Sequence, residues 1–184
     1  FEFGEQSNMF IRVNTQTNAP SGSQLQRVVD NSNPLFYSVG NVNLDQSYST
    51  NLISRISKSN IEKSSSFSNF LRIRNTLNYI TNATYVFRND TILDNDIVLP
   101  RGSQLSTPVN VAGYWSVMDN VTWGFLLSKL KTNLNLTLGG GYVRQPGIAN
   151  NVENISQIFT GRTKIGFNSN ISENIDFNIA YDAN

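Results

Sequence analysis

Two pairs of cations stand in the same spacing, Arg72 with Arg74 and Arg162 with Lys164, each split by one uncharged residue. In an extended chain that spacing turns both charges of a pair to one face. There they could hold an anionic ligand, meet a neighbouring polypeptide, or stand as ordinary solvated groups. Tyr85, Phe87, Arg88 and Arg101 lie in a long polar connection and combine stacking surface with charge, which suits ligand contact by a loop. Asp90, Asp94 and Asp96 could supply oxygen ligands to Ca²⁺, but a loop rich in Asp and Asn reads as well as solvated, and no metal is assigned. The chain has no His and no Cys. That removes a Ser-His arrangement, thiol catalysis and most zinc chemistry. No catalytic residue and no cofactor are expected, and the chain does not read as an enzyme.

The composition restricts what elements can carry these groups. Charged residues make up 15% and hydrophobic residues 39% of the 184, with a mean hydropathy of -0.29. Soluble domains carry about 25% charge. Uncharged polar residues fill the gap, and Asn alone is about one residue in seven. Disorder is opposed by 11% aromatics and by regular patterning. The net charge of +1 gives no footprint for nucleic acid. No run of eighteen apolar residues exists, so any membrane crossing must be made by strands. The segment opening at Phe1 has no signal-peptide pattern.

Period-two alternation runs almost from end to end. Leu134, Leu136, Leu138 and Tyr142 oppose Asn133, Asn135, Thr137, Gly139 and Gly141. Phe159, Ile165, Phe167 and Ile171 oppose Thr160, Arg162, Lys164 and Asn168, and Ile175, Phe177, Ile179 and Tyr181 oppose Asp176, Asn178 and Asp182. Earlier, Phe67, Leu71, Ile73, Leu77 and Tyr79 oppose Arg72, Arg74 and Thr76. Trp115, Val117, Val121, Trp123, Phe125 and Leu127 oppose Ser116, Asn120 and Thr122, with Asp119 interrupting the apolar side. Residues 47–58 alternate less cleanly through Tyr48, Leu52 and Ile56, and Met9, Ile11 and Val13 open the series opposite Arg12 and Asn14. Gly139, Gly140 and Gly141 lie inside a strand pattern, where glycine marks a bend, a bulge or close backbone approach rather than a phosphate loop.

The pattern predicts about seven strands, most of them ten residues or longer. Globular strands average about 5–6 residues, whereas a tilted membrane-spanning strand needs about 9–11. Short connections at residues 60–64, 128–131 and 172–174 alternate with long ones at 15–33, 84–108 and 145–155. Residues 84–108 hold their own strand-like pieces and can stand up as an extended hairpin. Short turns at one end and long loops at the other are the habit of outer-membrane barrels. The expected fold is therefore all-β: long antiparallel up-and-down strands forming part of a large transmembrane β-barrel across residues 1–184. A soluble β-sandwich or β-helix could also alternate in this way. On the barrel reading the apolar faces meet lipid, since the reverse would put each cation in hydrocarbon at about 2–4 kcal/mol near the midplane. Arg72, Arg74, Arg162 and Lys164 then face the lumen. Tyr48, Tyr79, Trp115, Trp123, Tyr142 and Tyr181 become candidates for the aromatic girdles.

Four stretches carry a resemblance to a known family. Gly40-Asn41-Val42-Asn43-Leu44-Asp45-Gln46 leads into a strand. Leu99-Pro100-Arg101-Gly102 is followed by Pro108-Val109-Asn110 and Gly113-Tyr114-Trp115. The others are Gly141-Tyr142-Val143-Arg144-Gln145-Pro146-Gly147 and Asn170-Ile171-Ser172-Glu173-Asn174-Ile175-Asp176-Phe177. In this order they resemble the C-terminal barrel region of TonB-dependent-receptor-like outer-membrane proteins of Bacteroidetes type. The resemblance implies a barrel of about twenty-two strands closed by an N-terminal plug, of which this chain would supply about a third of the wall. It also implies a bacterial outer-membrane location, lipid as a partner, and an energy-coupling inner-membrane complex and a surface lipoprotein as further partners. Uptake of a nutrient is the function expected. A structural or surface-anchoring barrel and a soluble carbohydrate-binding β-domain are the alternatives.

Overall fold

The computed structural model describes residues 6–93, 97–172 and 175–183, with side chains outside 170–176. The fold is all-β, at 74% strand and 4% helix. In chain order the elements are β1 (Ser7–Asn18), α1 (Gly22–Leu25), β2 (Asp30–Asn33), β3 (Phe36–Ser38), β4 (Ser47–Asn60), β5 (Ser65–Leu77), β6 (Tyr79–Val86), β7 (Thr91–Leu93), β8 (Ile97–Leu99), β9 (Gln104–Val111), β10 (Tyr114–Leu127), β11 (Thr132–Ala149), β12 (Val152–Ser172) and β13 (Ile175–Ala183).

Seven of these form a wall. The order β1-β4-β5-β10-β11-β12-β13 follows the chain, and every neighbouring pair is antiparallel. These are the seven strands that the alternation predicts. Within the described residues the wall is an open sheet: the outer edges of β1 and β13 have no strand beside them. The turns at one end are tight. Residues 61–64 close β4 onto β5 with Ser64 at φ 45°, and a 3₁₀ turn at Ser128–Leu130 closes β10 onto β11 with Lys131 at φ 47°. The expected turn at 172–174 includes residues outside those described.

At the other end one expectation fails. Residues 145–155 are not a long loop. β11 runs on to Ala149, and the chain reverses over Asn150 and Asn151 alone, at φ 50° and 64°. A two-residue turn with both φ positive matches strand twist, and Asn tolerates that conformation better than any other residue with a Cβ. Ile148, Ala149 and Val152 supply the apolar signal of a strand here, but Pro146 and Gly147 mask it in the sequence. Pro146 lacks an N–H, yet it pairs with Ile155 in the ladder of a hairpin that stands clear of β10.

The remaining elements make a cap at this end. The chain leaves the wall after Leu77 through Asn78, whose φ is 50°. β6 then pairs with β9 from Tyr79 opposite Val111 to Val86 opposite Gln104. This hairpin is set differently from the one expected within residues 84–108: it begins at Tyr79 and ends at Val111, and Ile97–Leu99 pairs with β7 inside its loop. β3 joins β9 in parallel, β2 joins β3, and β7 pairs with β8. The buried core of the described residues lies in this cap, not in the wall: Tyr37, Leu99 and Leu105, ringed by Val29, Val39, Tyr85, Phe87, Leu93 and Ile97. The cap is fastened to the wall where β6 runs parallel to β11, with Ala83 and Thr84 beside Ile148 and Ala149. Asn150 adds two bonds: its N–H donates to Thr84 O at 2.9 Å, and its Oδ1 accepts from Val86 N at 2.8 Å.

Asn151 makes the turn testable without disturbing that fastening. Asn151→Gly is expected to relieve about 1 kcal/mol of left-handed strain, and Asn151→Val to add about 1–2 kcal/mol. Amide hydrogen exchange across residues 145–156 of the full-length protein reads both as opposite changes in opening free energy.

Candidate functional site: the two faces of the wall

Directly paired residues of an antiparallel sheet project to the same side, so the register assigns every position of the wall to a face. One row of partners reads Val13, Leu52, Ile73, Val117, Tyr142 and Phe159. Another, one residue out of phase with this set, crosses all seven strands as Asn8, Ser57, Ser68, Thr122, Thr137, Lys164 and Asp182. The wall thus has one apolar and one polar face along its length. Among the described residues no second sheet covers the apolar face: Val13 is 60%, Phe159 74% and Tyr181 67% exposed. A soluble sandwich would place a second sheet about 10 Å away and bury these side chains.

Eight of the ten aromatic residues on the apolar face of the described wall fall along two oblique lines. The upper one runs through Tyr48 on β4, Trp115 on β10, Tyr142 on β11 and Phe159 on β12. Tyr48 pairs with Leu77, whereas Phe159 traces through Tyr142 and Val117 to Ile73, four residues lower on β5. The lower line runs through Phe67 on β5, Phe125 on β10, Phe167 on β12 and Phe177 on β13. Phe67 pairs with Trp123, whereas Phe177 traces through Ser169 and Thr132 to Leu127, four residues further along β10. Each line therefore drops four residues over four strands. At about 3.4 Å per residue and about 4.8 Å per strand, that slope is about 35°. Along β10 the lines are ten residues apart, from Trp115 to Phe125, or about 34 Å along the strand and about 28 Å across the tilt. The tight turns descend with them, from residues 61–64 to 128–131.

Of the six aromatics that the sequence nominates, Tyr48, Trp115 and Tyr142 lie on the upper line. Trp123 sits two residues inside the lower line, its ring 5.9 Å from Phe67, and Tyr181 lies four residues inside it, opposite Ile165. Tyr79 is a correction. The left-handed turn at Asn78 takes it out of the β5 row and into β6, where it stacks on Tyr114 at 4.5 Å and its hydroxyl accepts from Gln145 Nε2 at 3.4 Å. Burial, and then Tyr114, push its phenol above the ordinary value. Phe67, Phe125, Phe159, Phe167 and Phe177 were not nominated. Their alternation is plain in the sequence, but their alignment is visible only once the register joins the strands.

Asp119 breaks the apolar face midway between the two lines. Asn69 Nδ2, on the same face, donates to Asp119 Oδ1 at 2.5 Å. Beside them lies a depression of about 500 Å³ walled by Val117, Val121, Trp123, Leu138 and Tyr142. Its floor includes Gly140, where an added Cβ would meet nothing within 4 Å. Gly139 and Gly141 turn the other way, against Asn120 and Thr160, so the glycine triplet is strand with close side-chain approach on its polar side.

On the polar face the four nominated cations separate into two groups. Arg162 forms a two-pronged ion pair with Asp182, through Nε at 3.0 Å and through Nη2, and Lys164 is directly opposite the same carboxylate. Arg72 and Arg74 are three strand positions away, and Arg74 Nε donates to Asn51 Oδ1 at 2.7 Å. In the cap, Tyr85 and Phe87 pack, partly buried, on the Tyr37–Leu99–Leu105 core. Arg88 and Arg101 are exposed. Asp90 Oδ1 accepts from Arg101 N at 2.7 Å, closing the loop. Asp94 and Asp96 lie outside the described residues. No family model, curated protein or solved structure matches the chain.

Asn69→Leu, which strips the donor from Asp119, should destabilise the protein by about 1–3 kcal/mol. Adding Asp119→Leu should restore most of the loss by completing the apolar row. Unfolding of the full-length protein in micelles by urea, with both singles and the double variant, measures the coupling.

Proposed function

We propose that this chain is a wall segment of a bacterial outer-membrane β-barrel, of the TonB-dependent-receptor-like kind, and that the whole protein takes up a nutrient across that membrane. The two parallel aromatic lines carry the reading. Strands of membrane barrels tilt by about 35–45°, and their apolar band is about 25 Å tall between aromatic girdles. A slope of about 35° and a spacing of about 28 Å between the lines, obtained from register alone, agree with both. A water-soluble sheet has no reason to space its aromatics along two lines at this angle.

The uncovered apolar face supports lipid as its neighbour, and the polar face, rich in Asn, Ser and Thr, suits an aqueous lumen. The two bare edges need further strands, because an unpaired edge in hydrocarbon leaves a row of backbone groups without partners. Uptake is preferred to a purely anchoring barrel because the polar face carries concentrated charge at mid-height, which lipid anchoring does not require. In this orientation the cap stands on the extracellular side and the tight turns on the periplasmic side. Cargo would first meet the cap, where Arg88 and Arg101 are exposed.

Spin labels in the full-length protein in liposomes test the orientation of the wall. Labels at Leu52, Ile73, Val117 and Leu138 should be relaxed by oxygen, and labels at Asn51, Arg74, Ser116 and Thr137 by a water-soluble nickel complex. A protein that fractionates as soluble, with no heat-dependent gel shift and no such alternation, would discard the barrel.

A further inference from the structure

The polar face collects its unopposed cations in one place. Arg12 on β1, Arg55 on β4, and Arg72 and Arg74 on β5 all point to this side. Arg12, Ile53 and Arg72 form one row of partners, and Arg55 pairs with Phe70 one step along. The group spans three adjacent strands and four residues of length, an area about 10 Å by about 14 Å.

Among the described residues nothing else in this part of the wall balances the charge. The register puts no Asp or Glu on the polar face of β1, β4, β5, β10 or β11. Asp119, the one carboxylate of these strands, is on the opposite side. Arg162 and Lys164 differ in this respect, because Asp182 answers both. Four guanidinium groups within about one Debye length of one another repel, and an oxyanion among them relieves that repulsion.

The arginines are also held in place. The Arg55 and Arg72 guanidiniums lie 5.7 and 5.6 Å from the centroid of the same ring, Phe70, and Arg12 lies 5.1 Å from that of Phe10. Arg74 is fixed by its bond to Asn51. A guanidinium resting on a ring keeps its N–H edges available for carboxylate or phosphate, and gives up less rotamer freedom when it binds. Ile53, between Arg12 and Arg72, and Met118, beside Arg72, add apolar surface within the group.

We propose that Arg12, Arg55, Arg72 and Arg74 form a binding site for a small ligand that carries two or more oxyanion groups, carboxylate or phosphate. The footprint suits a small molecule. A docked polypeptide face covers about 800 Å² per partner, several times the area of the strip. The site itself follows from the register and rests on the uptake reading only in making that ligand the cargo.

Titration calorimetry of the full-length protein in micelles, at low salt, with citrate and with pyrophosphate as probes, tests this. The natural protein should bind both saturably and lose them at high salt. Arg55→Gln/Arg72→Gln should weaken binding by about tenfold or more, and Lys63→Gln, in the turn far from the strip, should leave it unchanged. Phe70→Leu keeps all four charges but releases the guanidiniums. It should weaken binding a few-fold, and it serves if the double variant does not fold. No saturable binding, or equal binding by the natural protein and the folded Arg or Phe70 variants, overturns the site. So does failure to bind citrate together with crosslinking of an acidic segment of the protein to a cysteine at position 72. A soluble protein that still binds through these arginines retains the site and loses the barrel. A membrane protein that does not bind retains the barrel and loses the site.

Discussion

Everything distinctive about this molecule follows from an antiparallel register that holds across six successive strand pairs. Because side chains alternate with a period of two, slipping one strand by a single residue would turn its apolar set to the wrong face. The row from Val13 to Phe159 and the row from Asn8 to Asp182 can both exist only if all the intervening pairs are in step. The tight turns fix that phase locally. Ser64, Lys131, Asn150 and Asn151 each take the left-handed conformation where the chain reverses, and so set which residue of the returning strand faces which of the outgoing one.

The wall differs from a soluble sheet in where it keeps its core. Among the described residues the buried hydrophobic cluster is in the cap, around Tyr37, Leu99 and Leu105, and the long strands leave many of their leucines and phenylalanines exposed. Such a sheet cannot draw on burial between layers for stability. Its hydrophobic term must come from the medium or partner against the apolar face, and its polar face must stay wetted or be filled by ligand. Asp119 is the exception midway along that face, where Asn69 satisfies its carboxylate, and Lys58, Arg144 and Glu153 lie on the same face nearer its ends.

Much of this was legible in the sequence. The seven strands and the two faces follow from alternation, which is local and direct. The rest depends on what lies beside what. Arg55 is inconspicuous in the sequence because Ser54 interrupts the apolar side of β4, and its partnership with Arg72 around Phe70 exists only across strands. Arg162 and Lys164 look the same as Arg72 and Arg74 until Asp182 is brought alongside. The turn at Asn150 and Asn151 hid behind Pro146 and Gly147, residues that ordinarily signal a loop. Tyr79 shows the limit of periodicity: it keeps the phase of β5 in sequence, but one left-handed residue before it redirects the chain.

The short parallel junction of β6 with β11 has a mechanical consequence. Most surface loops are tied down only at their two ends, so they swing as hinged flaps. Here the flap is also riveted in the middle, by strand pairing at Ala83 and Thr84 and by both backbone and side chain of Asn150. Lifting it would mean peeling it from the tallest hairpin of the wall, and that hairpin is itself zipped along eighteen pairs from Thr132 to Ala149. A pull on the cap is therefore passed into the wall instead of being taken up by a hinge.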